Sequence, residues 1–258
     1  MDLVPKRGPV NAERLLTLLW RAPRADNARG PRPGLQVDDV VDTALTIADE
    51  EGIAGLTIRE VADRLGVAPM SVYTYVPSKA DLLVLMLDAA LGAMPRSDRA
   101  RSRSWRVRIT AVADDNRRLY QRHPWIVQLP PNRPPLGPGT LGKYEHELGA
   151  LEGTGLGDVA RDAALTYVLG FVESCAHASA RVEAAIVSSG MSDAAWWDAH
   201  GPVLARLFDA SQYPLGMRIG AASAEAQGGA YDADHAYRFG LARVLDGLAA
   251  LIARDGSA

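Results

Sequence analysis

Four hydroxyl-bearing side chains lie within five residues of one another: Ser71, Tyr73, Thr74 and Tyr75. Hydroxyl groups both donate and accept hydrogen bonds, so this combination suits contact with the polar edges of nucleobases in a DNA groove. Val72 and Val76 lie among and after them and are expected to face a protein core. The spacing therefore predicts a short helix with one solvated polar side and one buried apolar side.

Neighbouring residues suit contact with phosphate groups. Arg59 and Lys79 are cations at the starts of the helices predicted before and after this one. The helix that begins after Thr57 also presents free backbone N–H groups, which attract anions. These groups would orient the short helix on a duplex without reading its sequence.

Two short helices joined by a glycine-containing turn are expected to position these side chains. Thr57 and Glu60 have the spacing of a capping box, which predicts a helix that ends near Gly66. Pro69 suits the first position of the second helix, which would run to about Val76. Such a helix-turn-helix lets the second helix enter a major groove while the first crosses the backbone.

The remaining segments also favour helices. Apolar periodicity predicts an amphipathic helix from Val37 to near Gly52, and Ser78 is a capping signal for a later one. Further helices are expected over residues 105–122, 157–188, 192–210 and 232–254. Residues 211–230 are small and glycine-rich and are expected to form a loop. Since the sequence shows no sustained β alternation, the predicted fold is all-α.

Composition excludes several classes of protein. The 258 residues are 48% apolar, which argues against a disordered chain, and the net charge of −3 argues against a polycation. A single cysteine, Cys175, excludes a disulfide framework and a cysteine-based zinc finger. The sequence contains no bilayer-length apolar stretch and no secretory leader, so a cytoplasmic protein without membrane contact is expected.

Motifs for cofactors, metals and catalysis are not convincing. Residues 137–142 satisfy the G-x-G-x-x-G string, but they follow a proline-rich stretch rather than a strand, so a dinucleotide site is rejected. The five histidines form no i, i+4 pair, and no convergent acid, base or nucleophile set is visible. No cofactor, no metal and no enzymatic activity are expected.

The charge of the predicted reading segment is unfavourable for DNA. Residues 36–80 hold eight acidic and three basic residues, whereas residues 1–35 hold seven basic and three acidic ones. We hypothesise that Arg29 and Arg32 of this flexible basic arm enter a neighbouring minor groove. The alternative of a solvated tail stays open.

The segment around the helix-turn-helix resembles the DNA-binding domain of TetR-family transcriptional regulators. The resemblance covers residues 37–85 and rests on the strings GLTIREVA at 55–62, LGVAPMSVYTYV at 65–76 and SKADLL at 78–83. The rest resembles the family's tetracycline-repressor-like C-terminal domain more weakly, through YQRHPW at 120–125 and the helix around 167–173.

The resemblance implies a homodimeric repressor that a small apolar effector releases from a pseudo-palindromic operator in double-stranded DNA. It implies a three-helix DNA-binding domain over residues 36–80 and a larger helical effector-binding and dimerisation domain over 81–258, which follow the flexible basic arm that the composition of residues 1–35 predicts. Carried over by position, the DNA contacts are Thr57, Arg59, Pro69, Met70, Ser71, Tyr73, Thr74, Tyr75 and Lys79.

Bulky side chains in the presumed C-terminal core are the candidates for the effector pocket. They are Met86, Trp105, Trp125, Tyr167, Phe171, Cys175 and His177. Such groups more often fill a core than line a ligand cage, and both interpretations stay open. The helices over 157–188 and 232–254 carry broad apolar stripes and are the candidates for the dimer interface.

Two other functions are weighed against DNA binding. A helical protein-interaction module would leave the polarity of residues 71–75 without a purpose. A helical enzyme would need a catalytic set that the sequence does not show.

Overall fold

The computed structural model describes residues 9–22, 34–98, 102–129, 133–227 and 232–255. Within these ranges every regular element is a helix, so the all-α prediction is confirmed. The chain forms two compact units, Met1–Gly153 and Thr154–Ala258. The boundary expected at residues 80 and 81 does not coincide with this division.

The first unit contains seven α-helices and one 3₁₀ helix in its described residues. They are α1 Pro9–Leu19, α2 Val37–Gly55, α3 Ile58–Leu65, α4 Pro69–Tyr75, α5 Lys79–Gly92, α6 Trp105–Arg122, the 3₁₀ helix Pro124–Gln128 and α7 Pro138–Gly149. The α1 helix lies within the expected arm, and its Leu18 and Leu19 are buried in the core. That part of the arm is therefore an ordered element.

The core of the first unit is built on the apolar stripe of α2. Val40, Ala44 and Ile47 recur at helical spacing and are all fully buried, as are Val61 of α3 and Leu82 of α5. The expected stop near Gly52 is present as a break in the helix, because this glycine has a φ of +74°. Helix α5 shares this core, so residues 36–80 do not pack on their own.

The residues of the G-x-G-x-x-G string lie where α7 packs closely against α5. The Asp88 carboxylate of α5 accepts hydrogen bonds from the backbone N–H groups of Gly139 and Thr140 at 3.1 and 2.8 Å, and from the Thr140 hydroxyl at 2.7 Å. A Cβ atom on Gly139 would lie 1.9 Å from the Asp88 carbonyl oxygen. The anion at this helix start is thus the protein's own carboxylate.

A second buried polar group joins α6 to α7. Glu147 is buried and accepts hydrogen bonds from Lys143 at 2.7 Å and from the Asn116 amide at 2.5 Å. The adjacent His146 has a buried Nε2 atom without a hydrogen-bond partner. Its pKa is lowered, mainly because burial disfavours the charged imidazolium and also because the positive charge of Arg96 is near.

The second unit contains four α-helices and one 3₁₀ turn in its described residues. They are α8 Asp158–Ser189, α9 Asp193–Leu207, the 3₁₀ turn Ala210–Gln212, α10 Pro214–Gln227 and α11 Ala233–Asp255. The expectation of a loop over residues 211–230 is wrong, since α10 occupies most of that segment. Its alanines favour a helix despite the glycines.

Helices α8 and α11 pack against each other in this unit. The rings of Phe171 and Tyr237 stack with their centroids 6.0 Å apart, and a Cβ atom on Gly240 would lie 2.4 Å from the Phe171 ring. The close approach of the two helices therefore depends on a glycine.

Candidate nucleic-acid interface

Helix α3 begins and ends as the sequence predicted. The Thr57 hydroxyl accepts a hydrogen bond from the Glu60 backbone N–H at 3.0 Å, and Gly66 closes the helix in the left-handed region at φ +68°. Val61 is buried on the inner face, whereas the Arg59 side chain is 86% exposed. Arg59 is therefore accessible to a phosphate group.

Helix α4 has two chemically distinct sides. Val72 and the capping residue Val76 are 0% exposed and anchor the helix in the core. Met70 is 74% exposed and Tyr73 is 41% exposed. The predicted solvated side and buried side are both present.

The other predicted base contacts vary in accessibility. Pro69 and Thr74 are exposed, whereas Ser71 and Tyr75 are half-buried. The Tyr75 ring also packs against the core of the first unit. Thr74 donates from its hydroxyl to the Met70 carbonyl at 3.5 Å, which is a weak contact.

Lys79 is held more firmly than the sequence suggested. Its Nζ atom donates a hydrogen bond to the Leu56 carbonyl oxygen at 2.5 Å. The helix start at this point is fixed by Ser78, whose hydroxyl accepts from the Asp81 N–H at 3.1 Å. An ammonium group has three donors, so Lys79 keeps two for a phosphate while its position is set by the protein.

Arg64 neutralises part of the negative charge of residues 36–80. Sequence reasoning missed this role of Arg64. Its guanidinium forms ion pairs with Glu50 at 2.6 Å, with Glu60 at 3.2 Å and with Glu51. The pKa of Arg64 is raised, chiefly by its hydrogen bonds to Glu50 and Glu60. The i, i+4 spacing of Glu60 and Arg64 was a visible signal, but the pairs to α2 depend on the tertiary fold.

Only part of the expected basic arm lies within the described residues. Arg29 and Arg32 lie outside the described residues. Arg21, which follows α1, pairs with Asp38 at 2.6 Å at the start of α2. This cation of the arm is therefore engaged with the protein.

The geometry of this helix-turn-helix agrees with the relatives of the chain. The sequence pattern of the bacterial regulatory proteins of the tetR family matches residues 40–86, and that of the tetracyclin repressor-like C-terminal domain matches residues 100–252. The chain belongs to the TetR family. Membership makes this TetR-family chain a DNA-binding transcriptional regulator rather than an enzyme.

Three TetR-family comparisons give the extent of the similarity. The chain is 37% identical over 247 residues to the HTH-type transcriptional repressor DrrR1 of Streptomyces coeruleorubidus. The matched region covers 96% of this chain and 89% of that protein. It is 36% identical over 155 residues to an HTH-type transcriptional regulator of Saccharopolyspora erythraea, covering 58% and 65% of the two chains. The structure of ActR from Streptomyces coelicolor in complex with actinorhodin has a TM-score of 0.67, with 24% identity and coverage of 85% and 97%. That last similarity concerns the fold alone.

A hydrogen-bonded junction ties the TetR-family YQRHPW string to the DNA-reading segment. The Asp49 carboxylate of α2 lies 2.7 Å from Nδ1 of His123 and accepts a hydrogen bond from Nε1 of Trp125 at 2.8 Å. Trp125 is buried in the same core as α2. Sequence reasoning missed Asp49 because 74 residues separate it from His123.

The predicted effector residues of this TetR-family chain are divided between the two units. Met86, Trp105 and Trp125 belong to the first unit, where Met86 and Trp125 are fully buried in the core. The other four predicted residues lie along α8 in the second unit: Tyr167, Phe171, Cys175 and His177.

The four residues on α8 differ in their surroundings. Tyr167 is 62% exposed, and His177 is exposed with its Nε2 atom 3.8 Å from Glu173. Phe171 and Cys175 are half-buried. A pocket of about 700 Å³ in the first unit lies between α2, the end of α5 and α6, and none of the seven predicted residues lines it.

Two further findings concern the described residues. None of their helices has both the length and the apolar character that a bilayer span requires. Their His, Cys, Asp and Glu side chains form no group of three that could hold a metal ion.

Proposed function

We propose that the chain is a homodimeric repressor that reads a pseudo-palindromic operator through α4 and leaves it when a small apolar effector binds. The observation that carries the proposal is the division of α4. Its valines are held in the core, while Met70 and Tyr73 remain in solvent on a rigidly anchored helix. A fixed helix with accessible side chains is what base recognition in a major groove requires.

The two short helices have separate roles in this proposal. Helix α4 lies in the major groove, and α3 crosses the backbone with Arg59 and its N-terminal N–H groups toward phosphates. Lys79 contacts a further phosphate from the start of α5. In the proposed division of labour, residues 36–80 read DNA and residues 81–258 bind the effector and a second copy.

Dimerisation supplies a second copy of α4 for the other half-site of the operator. Two copies of α4 spaced about 34–36 Å apart reach successive major grooves on one face of the duplex. We assign the interface to the outer faces of α8 and α11, where Tyr167 and Phe239 are exposed although both are large and apolar. Sedimentation velocity of the wild type and of Phe239→Glu tests this assignment. A dimer that persists in the variant contradicts it.

Effector release follows from a shift between two dimer geometries. Some dimer geometries place the two copies of α4 at a spacing that does not match successive major grooves. A ligand that binds only such a geometry removes the protein from DNA. Among the effector residues predicted from the sequence, Phe171, Cys175 and His177 on α8 remain the proposed contacts, because Met86 and Trp125 are fully buried in the core of the first unit. The presence of actinorhodin in the ActR structure supports a small-molecule effector for this fold.

The decisive experiment measures binding to the DNA upstream of the protein's own gene. Fluorescence anisotropy should show specific binding by the wild type and a loss of about tenfold or more for Tyr73→Ala, since a good base contact contributes about 1–3 kcal/mol. Tyr213→Ala is the matched control, because Tyr213 is an exposed tyrosine of the second unit. Equal affinities of the wild type and Tyr73→Ala would contradict the proposal.

The arm hypothesis has its own test. Each lost phosphate contact lowers the slope of log K against log salt concentration by about 1. The double variant Arg29→Ala with Arg32→Ala loses two contacts in each protomer of the dimer and should therefore lower the slope by about 4. An unchanged slope would reduce the arm to a solvated tail.

A further inference from the structure

Helix α4 lacks the side chains that most often read bases. Its sequence, PMSVYTY, contains no arginine or lysine for guanine and no asparagine or glutamine for adenine. Of the cations on the neighbouring helices, Arg64 pairs with three glutamates and Lys79 is held by a carbonyl group, whereas Arg59 stays exposed on α3. Bidentate recognition of a purine from this helix is therefore excluded.

Hydroxyl groups alone discriminate poorly between bases. Serine and threonine hydroxyls donate and accept, so they pair with either a base donor or a base acceptor. The α4 hydroxyls of Ser71, Tyr73 and Thr74 can hold the helix in the groove. Selection of one base over another must then come from a different kind of contact.

Met70 is the more exposed of the two large side chains that α4 presents to solvent, the other being Tyr73. It is 74% exposed and is not among the residues packed on the core of the first unit, unlike Val72 and Tyr75. It precedes Tyr73 and Thr74 by three and four residues, which places all three on one flank of the helix. A large apolar side chain thus stands beside the hydroxyls that would face the groove.

We propose that Met70 reads the 5-methyl group of a thymine in each half-site of the operator, an inference that rests on the proposed function. The thymine methyl is the apolar group that distinguishes base pairs in the major groove. A methionine side chain has no hydrogen-bond donor and a flexible, polarisable thioether, so it gains mainly by covering such a methyl group. Met70 therefore supplies the base discrimination that the hydroxyls lack.

The experiment removes the methyl group without changing base pairing. The full-length protein first selects its operator from random-sequence duplex DNA, and each thymine of that operator is then replaced by uracil. At one thymine per half-site the affinity should fall about fourfold, the factor that corresponds to about 0.8 kcal/mol for one buried methyl group. Replacement in both half-sites should reduce it about fifteenfold.

Two variants identify Met70 as the partner of that methyl group. In Met70→Ala the uracil penalty should disappear, whereas Met70→Leu, which keeps an apolar side chain of similar size, should retain it. Circular dichroism should show both variants folded, because Met70 contributes little to the core. The comparison is thus independent of stability.

The remaining outcomes separate this inference from the proposed function. Specific binding without any uracil penalty, or with the same penalty in Met70→Ala, overturns the role of Met70 and leaves the repressor proposal intact. A selection that yields no preferred sequence overturns both.

Discussion

Helices α2 and α3 of the first unit bury the apolar side chains of their inner faces, whereas α9 and α10 of the second unit expose theirs. Along α2, Val40, Ala44 and Ile47 are inaccessible to solvent. Along α9 and α10, no side chain of described burial is buried, and bulky groups such as Leu207 and Leu215 face outward. Helices of similar composition are therefore used in two different ways.

The difference separates two kinds of exposed apolar residue. In the first unit most apolar side chains of α2–α5 belong to the core, whereas Met70 on α4 is 74% exposed. In the second unit the exposed apolar groups continue over the successive helices α9 and α10. Substitutions should therefore have opposite energetic signatures in the two regions.

The largest expected difference concerns core truncation. Ile47→Ala removes a fully buried side chain and should lower the free energy of unfolding by about 2–5 kcal/mol. Leu215→Ala on α10 should change it by no more than about 0.5 kcal/mol. Urea unfolding of both variants measures this contrast. A large loss for Leu215→Ala would show that α10 is covered in solution.

A pair of glycine substitutions sharpens the same contrast. Gly139→Ala forces a Cβ atom against the Asp88 backbone and should cost about 1–3 kcal/mol or more. Gly220→Ala in α10 meets nothing within 4 Å and should instead gain about 0.5–1 kcal/mol from helix propensity. Thermal unfolding should give shifts of opposite sign. A destabilising Gly220→Ala would contradict an open α10 face.

The Asp49 junction tests whether the reading segment depends on residues beyond it. Asp49→Leu leaves the N–H groups of Trp125 and His123 without their acceptor and should cost about 1–3 kcal/mol. Asp42→Leu, two turns earlier on α2 and exposed, is the control and should be nearly neutral. Equal stabilities of the two variants would show that the junction contributes nothing.

The smallest expected effect is a pH dependence that originates in the first unit. The pKa of His146 is lowered by burial, so the unfolded chain binds a proton more readily, and stability should fall as the pH drops below about 6.5. His146→Gln should reduce the loss between pH 7.5 and 5.5. Thermal midpoints across this range provide the check, and identical pH profiles for the wild type and His146→Gln would contradict it.

Local signals in the sequence predicted the DNA-reading segment well. The caps at Thr57, Gly66 and Ser78 depend on neighbouring backbone groups, and each is present. The bounds predicted for α6 coincide with the observed Trp105–Arg122. Signals of this kind involve only a few neighbouring residues, so they predict helix ends without knowledge of the tertiary structure.

Features that depend on distant contacts were not predictable. Asp88 caps α7 across 51 residues, and Arg64 pairs with carboxylates of α2. No characteristic spacing in the sequence signals either contact. The glycines of residues 211–230 suggested a loop, although α10 forms there. For the effector candidates, apolar character alone could not distinguish a buried core residue such as Met86 from an exposed one such as Tyr167.

The most direct test of the account places a photoreactive group on the exposed flank of α4. Replacement of Tyr73 by p-benzoylphenylalanine keeps an aromatic ring at that position, and the same replacement of Tyr213 is the control. On irradiation with operator DNA, the group at position 73 should crosslink to bases in both half-sites, and the group at position 213 should not. Specific binding without a crosslink from position 73 would contradict the claim that α4 reads the DNA.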